Sequence, residues 1–392
     1  MRRIIVVGCG LAGLRAAETL RAEGFSGVLS MVGAEQRLPY DRPPLSKSVL
    51  SGEMTPEQTE LRRRDDISAD WLLGRTAVQV DFAAQTVHLD DDAALPYDAL
   101  VIASGASPRT LGSIPGHLAG VMTLRTIEDA LALRAALESS PRVVVIGAGL
   151  IGSELASTCR RLGVAVTLVD PLPMLHRVLG ELSSSAAIRA RRHGVCVLEG
   201  VAVEGVTAAG DRVTGVQIAD GDRVEADVVV VAIGAKPETR WLEGSGASLD
   251  DGVVCDATMA VEGVPNVVAA GDVARWPHPA LGGALLRIEH WTNAAEQAAA
   301  AARRLMQGPT AAPYAPVPSF WTDQFGIRIQ GVGFPPIADE VLVVEGDPAG
   351  ERFVAEYRRT GGLVGAVVAG SPRALLPYRQ ELSRLMSSPL PT

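Results

Sequence analysis

Residues 3–13 read R-I-I-V-V-G-C-G-L-A-G, and residues 143–152 read V-V-V-I-G-A-G-L-I-G. Each is a run of branched apolar residues ending in G-x-G-x-x-G. A helical pattern follows, to Ala22 in the first copy and to about Leu162 in the second. Strand, glycine turn and helix in that order are the context the motif needs before it signals a dinucleotide. The glycines have separate jobs. Gly8 and Gly147 permit the tight turn, Gly10 and Gly149 let a pyrophosphate approach the backbone, and Gly13 and Gly152 let helix and strand pack closely. The helix starts, with Leu11 and Ala12 in one copy and Leu150 and Ile151 in the other, offer free N–H groups and positive dipole to phosphates.

A second strand follows each unit and leads to a carboxylate. Residues 29–32 lead to Glu35, and residues 164–169 to Asp170, about twenty residues past the glycines, where an acid takes the ribose hydroxyls. At Asp170 a 2′-phosphate would meet a like charge, which favours NADH over NADPH. His176 and Arg177 lie near enough in sequence to soften that preference. One such fingerprint also arises from packing alone; two complete ones imply two dinucleotides held together.

The rest of the chain sets limits. Its 392 residues allow two or three domains. Aromatics make up only 4%, so packing leans on Ala, Val, Leu and Gly. A net charge of −9 argues against a nucleic-acid binder, which needs a basic surface. The opening Arg2-Arg3 and apolar stretch is broken by glycines and runs into a helix with Arg15 and Glu18, so it does not read as a secretion signal. No apolar run reaches the ~18 residues of a membrane span, and a cytoplasmic protein is expected. Cys9, Cys159, Cys196 and Cys255 form no C-x-x-C, so neither a redox pair nor a zinc site is signalled, and no metal is expected.

More specific strings carry a resemblance. They are L-P-Y-D-R-P-P-L-S-K at 38–47, I-A-S-G-A at 102–106, A-A-G-D-V-A at 269–274, R-I-E-H-W at 287–291 and S-F-W-T-D-Q at 319–324. On these the chain resembles the FAD-dependent ferredoxin reductases that serve ring-hydroxylating dioxygenases and bacterial cytochrome P450s. These lie within the glutathione-reductase-like, two-dinucleotide flavoproteins. Ser104 stands where that family usually has Thr, which keeps the hydroxyl.

The resemblance implies an α/β fold of two Rossmann-like domains, one for FAD and one for NAD, plus a C-terminal α+β domain. The FAD domain would be discontinuous, 1–108 and 243–316, with the NAD domain at 109–242 and the tail at 317–392. In the tail, strands are expected at 341–345, 351–358 and 363–368, the last two joined by a turn at Gly361-Gly362. Ser371 and Pro372 would open a helix to about Met386, after a proline-rich linker at 309–318.

Site residues follow from the same resemblance. Lys47, Glu154 and Trp291 would stand at the reacting rings; alone, Lys47 would read as a solvated loop lysine. FAD would be held by Gly8, Gly10, Leu11, Ala12, Gly13, Glu35, Arg42, Lys47, Val78, Ala103, Ser104, Gly105, Arg109, Arg125, Gly271, Asp272, Glu289, His290, Trp291 and Trp321. NAD would be held by Gly147, Gly149, Leu150, Ile151, Gly152, Glu154, Asp170, Arg177, Ile233 and Gly234. Hydride transfer asks mainly for positioning, so no catalytic triad is expected.

Disulfide reductases of this superfamily place a reactive cysteine near residues 40–47, where this chain has none. Single electrons would instead leave for a small acidic iron–sulfur ferredoxin, of the two-iron type, that feeds an oxygenase. An acidic partner needs a local basic surface, for which Arg303-Arg304 with Arg328, and Arg62-Arg63-Arg64, are the candidates. An NADH oxidase, a rubredoxin reductase and a non-enzymatic nicotinamide-sensing flavoprotein stay open as alternatives, as do monomer and homodimer.

Overall fold

The computed structural model describes residues 1–385. The first sheet has five parallel strands in the order Val267–Ala269, Ala99–Ile102, Arg3–Val7, Val28–Gly33 and Asp70–Leu73. Ile4, Val6, Leu100 and Val101 are wholly buried, as expected of parallel strands covered on both faces. On one side the helix Leu11–Ala22 packs against the helix Trp291–Gln307. Ala16 and Ala17 of one, and Ala298, Ala301 and Ala302 of the other, have no exposed surface, so the two helices approach closely.

The second sheet repeats the design, again with five parallel strands: Cys196–Glu199, Val166–Asp170, Val143–Ile146, Val228–Val231 and Val121–Met122. A meander of Val203–Ala209, Arg212–Ile218 and Arg223–Glu225 covers one face, where Val213 and Val216 join Val144, Ile146 and Val229 in a core. Between the two sheets the chain crosses twice. Those crossings pair as the antiparallel strands Ala106–Pro108 and Ala235–Pro237.

The third sheet is five-stranded and antiparallel, in the order Ser319–Gln324, Ile327–Gly333, Gly362–Ala369, Phe353–Arg359 and Glu340–Gly346. Its Phe320, Ile329, Phe353 and Tyr357 share a core with Leu155 and Leu179 of the second unit and Leu50 of the first. Tyr357 also donates to the Leu179 carbonyl at 2.8 Å. The tail is thus built onto the second unit rather than tethered to it.

The sequence reading differs here in three places. The turn falls at Thr360-Gly361, whose φ values of 47° and 82° suit a mirror-image hairpin turn; Gly362 already begins the next strand. Ser371 makes no side-chain cap, Pro372 opens a 3₁₀ turn, and the α-helix runs Leu375–Leu385, with Met386 outside the described residues. The hairpin Ser319–Gln324 with Ile327–Gly333 was not foreseen as strand. Among the described residues, no helix is long and apolar enough to cross a membrane.

Candidate active site

The glycines of the first turn are needed for three different reasons. Gly8 has φ +116°, and a Cβ there would lie 2.0 Å from the Ala103 carbonyl oxygen. A Cβ on Gly13 would lie 1.8 Å from the Gly8 oxygen, whereas one on Gly10 would meet nothing within 4 Å. Gly147, Gly152 and Gly149 repeat this, with contacts of 2.4 Å to the Ala232 oxygen, 1.9 Å to the Gly147 oxygen, and open space. The first and third glycines serve the fold, and the middle one leaves a bare backbone facing outward. That is the cradle a pyrophosphate needs.

The first cradle opens into a cavity of about 620 Å³. Gly8, Gly10, Leu11 and Ala12 line it, with Ala103, Ser104 and Gly105 from the end of the next strand and Gly271 and Asp272 from the chain's return. Glu35, Arg42 and Arg125 line it as well, as do Lys47, Glu289, His290, Trp291 and Trp321. From the second unit come Leu150, Ile151 and the buried Glu154, all from one helix start. A cavity this long, glycine-floored and carrying both charge signs suits a dinucleotide such as FAD.

Several of its charged groups are paired, while the buried His290 Nδ1 has no partner among the described residues. Arg42 donates to Glu35 at 2.6 Å and to the Tyr40 hydroxyl at 3.0 Å, and Tyr40 donates to the other Glu35 oxygen. The Asp272 carboxylate, which burial would make costly alone, meets Arg125 at 2.9 Å. The Trp291 indole N–H donates to Asp41 at 2.6 Å, and the Trp291 ring stands edge-on to Trp321, 6.1 Å between centroids. Burial pushes the Asp41 carboxyl up, against the Trp291 hydrogen bond and the Lys47 charge. Burial also lowers His290 to about 4, so its ring is neutral.

Glu154 is the most connected group. Only 4% of its side chain is exposed. One oxygen takes Lys47 Nζ at 2.6 Å and Ser46 Oγ at 2.5 Å; the other takes Thr322 Oγ1 at 2.8 Å and the Asp323 N–H at 3.2 Å. Three sheets' worth of chain meet on one carboxylate.

Some expected residues lie elsewhere. Gly13 lies in the helix Leu11–Ala22 on the side packed against Gly8 and Val6, and Val78 is half exposed beside the cavity, whose wall there is Arg75, Thr76 and Ala77. Arg109 is at the crossover, its side chain donating to the Ala235 carbonyl and its N–H to Gly234. Gly147, Gly149, Gly152, Asp170, Ile233 and Gly234 lie at the second glycine turn and Arg177 in the short helix His176–Leu179, all outside this cavity's lining. Asp170 there accepts from the Ala148 N–H and the Leu172 N–H, both at 2.7 Å, which ties the acid to the glycine turn.

Most arginines of the expected basic patches have partners within the chain. Arg304 donates to Thr258, and Arg303 pairs with Glu23, both about 20 Å along the helix from Trp291 at 1.5 Å per residue. Arg328 is held by both oxygens of Asp323, Arg63 pairs with Glu60, and Arg64 with Asp66. Arg379 is closer to the cavity: it lies 3.7 Å from Glu296, in the second turn of the Trp291 helix. Asp41, Ser46, Thr322 and Tyr40 were missed as site residues, although each sits inside a quoted string. Cys9 also lines the cavity; burial and then Glu35 push its thiol up to about 12, so it is no thiolate nucleophile.

Residues 2–298 match the pyridine nucleotide-disulphide oxidoreductase family, and residues 319–389 match the reductase C-terminal family. The chain is 39% identical to the ferredoxin reductase component of chlorobenzene dioxygenase from Cupriavidus sp. (strain PS12), over 93% of this chain and 88% of the relative. It is 37% identical to rhodocoxin reductase of Rhodococcus erythropolis, over 98% and 90%. The covalent putidaredoxin reductase–putidaredoxin complex contains a chain that superposes with a TM-score of 0.90 at 33% identity, covering 97% of this chain and 92% of that one. With both modules matched and the similarity running end to end, this chain belongs to the pyridine nucleotide-disulphide oxidoreductases, in the branch formed by the ferredoxin reductases.

Proposed function

We propose that this chain takes a hydride from NADH onto a bound FAD and passes single electrons to a small, acidic, two-iron ferredoxin that feeds an oxygenase. One observation carries the reading: the helix start of the second cradle lines the cavity of the first through Leu150, Ile151 and Glu154, and Glu154 meets Lys47 there at 2.6 Å. Bound FAD supplies an acceptor that takes two electrons together and releases them singly. The protein's part is positioning. Gly10 and its neighbours would seat the pyrophosphate and Glu35 the adenosine ribose, while Asp272 and Arg125 would flank the middle of the cofactor.

Lys47 and Glu154 would set the charge at the reacting edge and orient the nicotinamide amide. Trp291 and Trp321 would exclude water there and face the outgoing electrons. Asp170 in the second cradle would take the NADH ribose. The relatives named as ferredoxin reductases support the acceptor class, and the absence of any paired cysteine supports it over a disulfide. Unpaired Cys9, Cys159, Cys196 and Cys255 fit a cytoplasmic site.

The test is anaerobic. Protein reduced by one equivalent of NADH is mixed with an oxidised acidic two-iron ferredoxin. Reoxidation within the time of turnover is expected. Reoxidation by oxygen but not by ferredoxin would favour an NADH oxidase, and by rubredoxin alone a rubredoxin reductase.

A further inference from the structure

Glu154 is gripped from the far side by the C-terminal sheet, and the geometry of that grip has a direction. Thr322 has no exposed surface. Its hydroxyl lies 2.8 Å from Glu154 Oε1 and accepts from the Gln324 side-chain amide at 3.3 Å. A carboxylate can only accept, so the Thr322 proton is committed to Glu154. Along the same strand, side chains alternate between faces. Trp321 therefore reaches the cavity while Thr322 reaches back to the helix Leu150–Arg161. One turn further along that helix, Ser157 accepts from the Phe325 N–H at 2.7 Å, which fixes the strand's register on the helix. Without the Thr322 hydroxyl, Oε1 would keep only the longer Asp323 contact of 3.2 Å. The carboxylate could then turn, and Lys47 with it.

We propose that Thr322 is a positioning residue: it holds the Glu154 carboxylate, and through it Lys47, so that the C-terminal unit sets the geometry of the nicotinamide half-reaction. This rests on the reading of Glu154 given under Proposed function.

The experiment uses the FAD-loaded full chain with Thr322→Val, which keeps the shape and loses the hydroxyl, and Thr322→Ser, which keeps the hydroxyl. Stopped-flow reduction by NADH gives the limiting rate and the NADH dissociation constant separately. Spectroelectrochemistry without NADH gives the flavin midpoint potential. Thr322→Val is expected to lower the limiting rate about tenfold, the scale of one hydrogen bond to a charged group, with NADH affinity within about twofold of wild type. Its midpoint potential is expected to fall, because Glu154 loses a donor that offsets its negative charge. Thr322→Ser should restore both. In a Glu154→Gln background Thr322→Val should add little, since the two act through one contact.

Wild-type rate and potential in a folded Thr322→Val would overturn the inference, as would full additivity in the Glu154→Gln background. Should the Val variant fail to fold, Thr322→Ala is the second variant, with the same outcomes expected. A wild-type protein that NADH does not reduce would instead refute the proposed function.

Discussion

Trp291 and Asp41 lie 250 residues apart in sequence, yet the indole N–H of one donates to the carboxylate of the other at 2.6 Å. The bond links two residues that line the cavity, joining the loop that carries Lys47 to the start of the long helix. It also holds Trp291 edge-on to Trp321. Asp41→Ala removes the acceptor and is expected to weaken FAD retention by about 1.5–3 kcal/mol, the usual cost of a lost hydrogen bond to a charged partner. Asp41→Asn, which keeps an acceptor oxygen, should retain FAD nearly as well as wild type. Cofactor release followed by flavin fluorescence checks both; equal losses in the two variants would mean that the carboxylate charge, not the bond, matters.

The glycines of the first cradle separate folding from binding. Gly13→Ala forces a Cβ against the Gly8 oxygen, 1.8 Å away, and should cost about 2 kcal/mol or more of stability, as overpacked sites do. Gly10 has an ordinary φ of −85° and open space before it. Gly10→Val should therefore leave the melting temperature of the FAD-free protein within a few degrees of wild type while weakening FAD binding at least tenfold, by a rough estimate for a blocked phosphate site. Thermal unfolding with and without FAD reads both; an unstable Gly10→Val apoprotein would contradict the division of labour.

This division also shows what the sequence could carry. Each glycine's job follows from local backbone geometry, so the two turns, their strands and their helices could be read from eleven residues at a time. The charged and aromatic members of the specific strings, Lys47, Trp291 and Trp321, were legible because a resemblance named them. Ser46 and Thr322 were not, although they lie one residue from Lys47 and Trp321. A short hydroxyl carries no periodic or charge signal, and its partner Glu154 is over a hundred residues distant in sequence from either. Asp41 does carry charge, but the partner that places it in the site, Trp291, is 250 residues distant in sequence. The arginines are a different case: Arg303 and Arg304 stand out by charge, while their height on the helix, which sets their distance from Trp291, needs the start of that helix to be counted.

His290 makes the fold sensitive to acid. Burial lowers its ring from 6.5 to about 4, against the pull of Asp272. A ring held neutral in the folded chain but free to protonate when unfolded stabilises the fold above pH 6.5. That contribution is lost as the pH falls toward 4. His290→Gln cannot titrate and should flatten the stability curve across that window, which melting temperatures at half-unit pH steps would show. A parallel acid loss in the variant would assign the sensitivity to other groups.

The docking face for an acidic ferredoxin should lie by Arg379 rather than Arg304. Arg379 stands beside Glu296, five residues from Trp291, whereas Arg304 is engaged with Thr258 at the far end of the helix. Arg379→Glu is expected to raise the KM for ferredoxin about threefold or more at low salt, the scale of a rim charge reversal. Arg304→Glu should leave it unchanged, and NADH-to-ferricyanide turnover should be unaltered in both. The reverse ranking of the two KM values would restore the Arg303-Arg304 patch.

Whether two dinucleotides react across this cavity is tested most directly by stopped-flow reduction of the wild-type yellow protein with NADH and, separately, NADPH. Bleaching within turnover time by NADH is expected, with NADPH slower because its 2′-phosphate meets Asp170, an acid already fixed by the Ala148 and Leu172 amides. A protein that is colourless, or whose flavin bleaches only over minutes with either nucleotide, would contradict hydride transfer here and leave a nicotinamide-sensing role in its place.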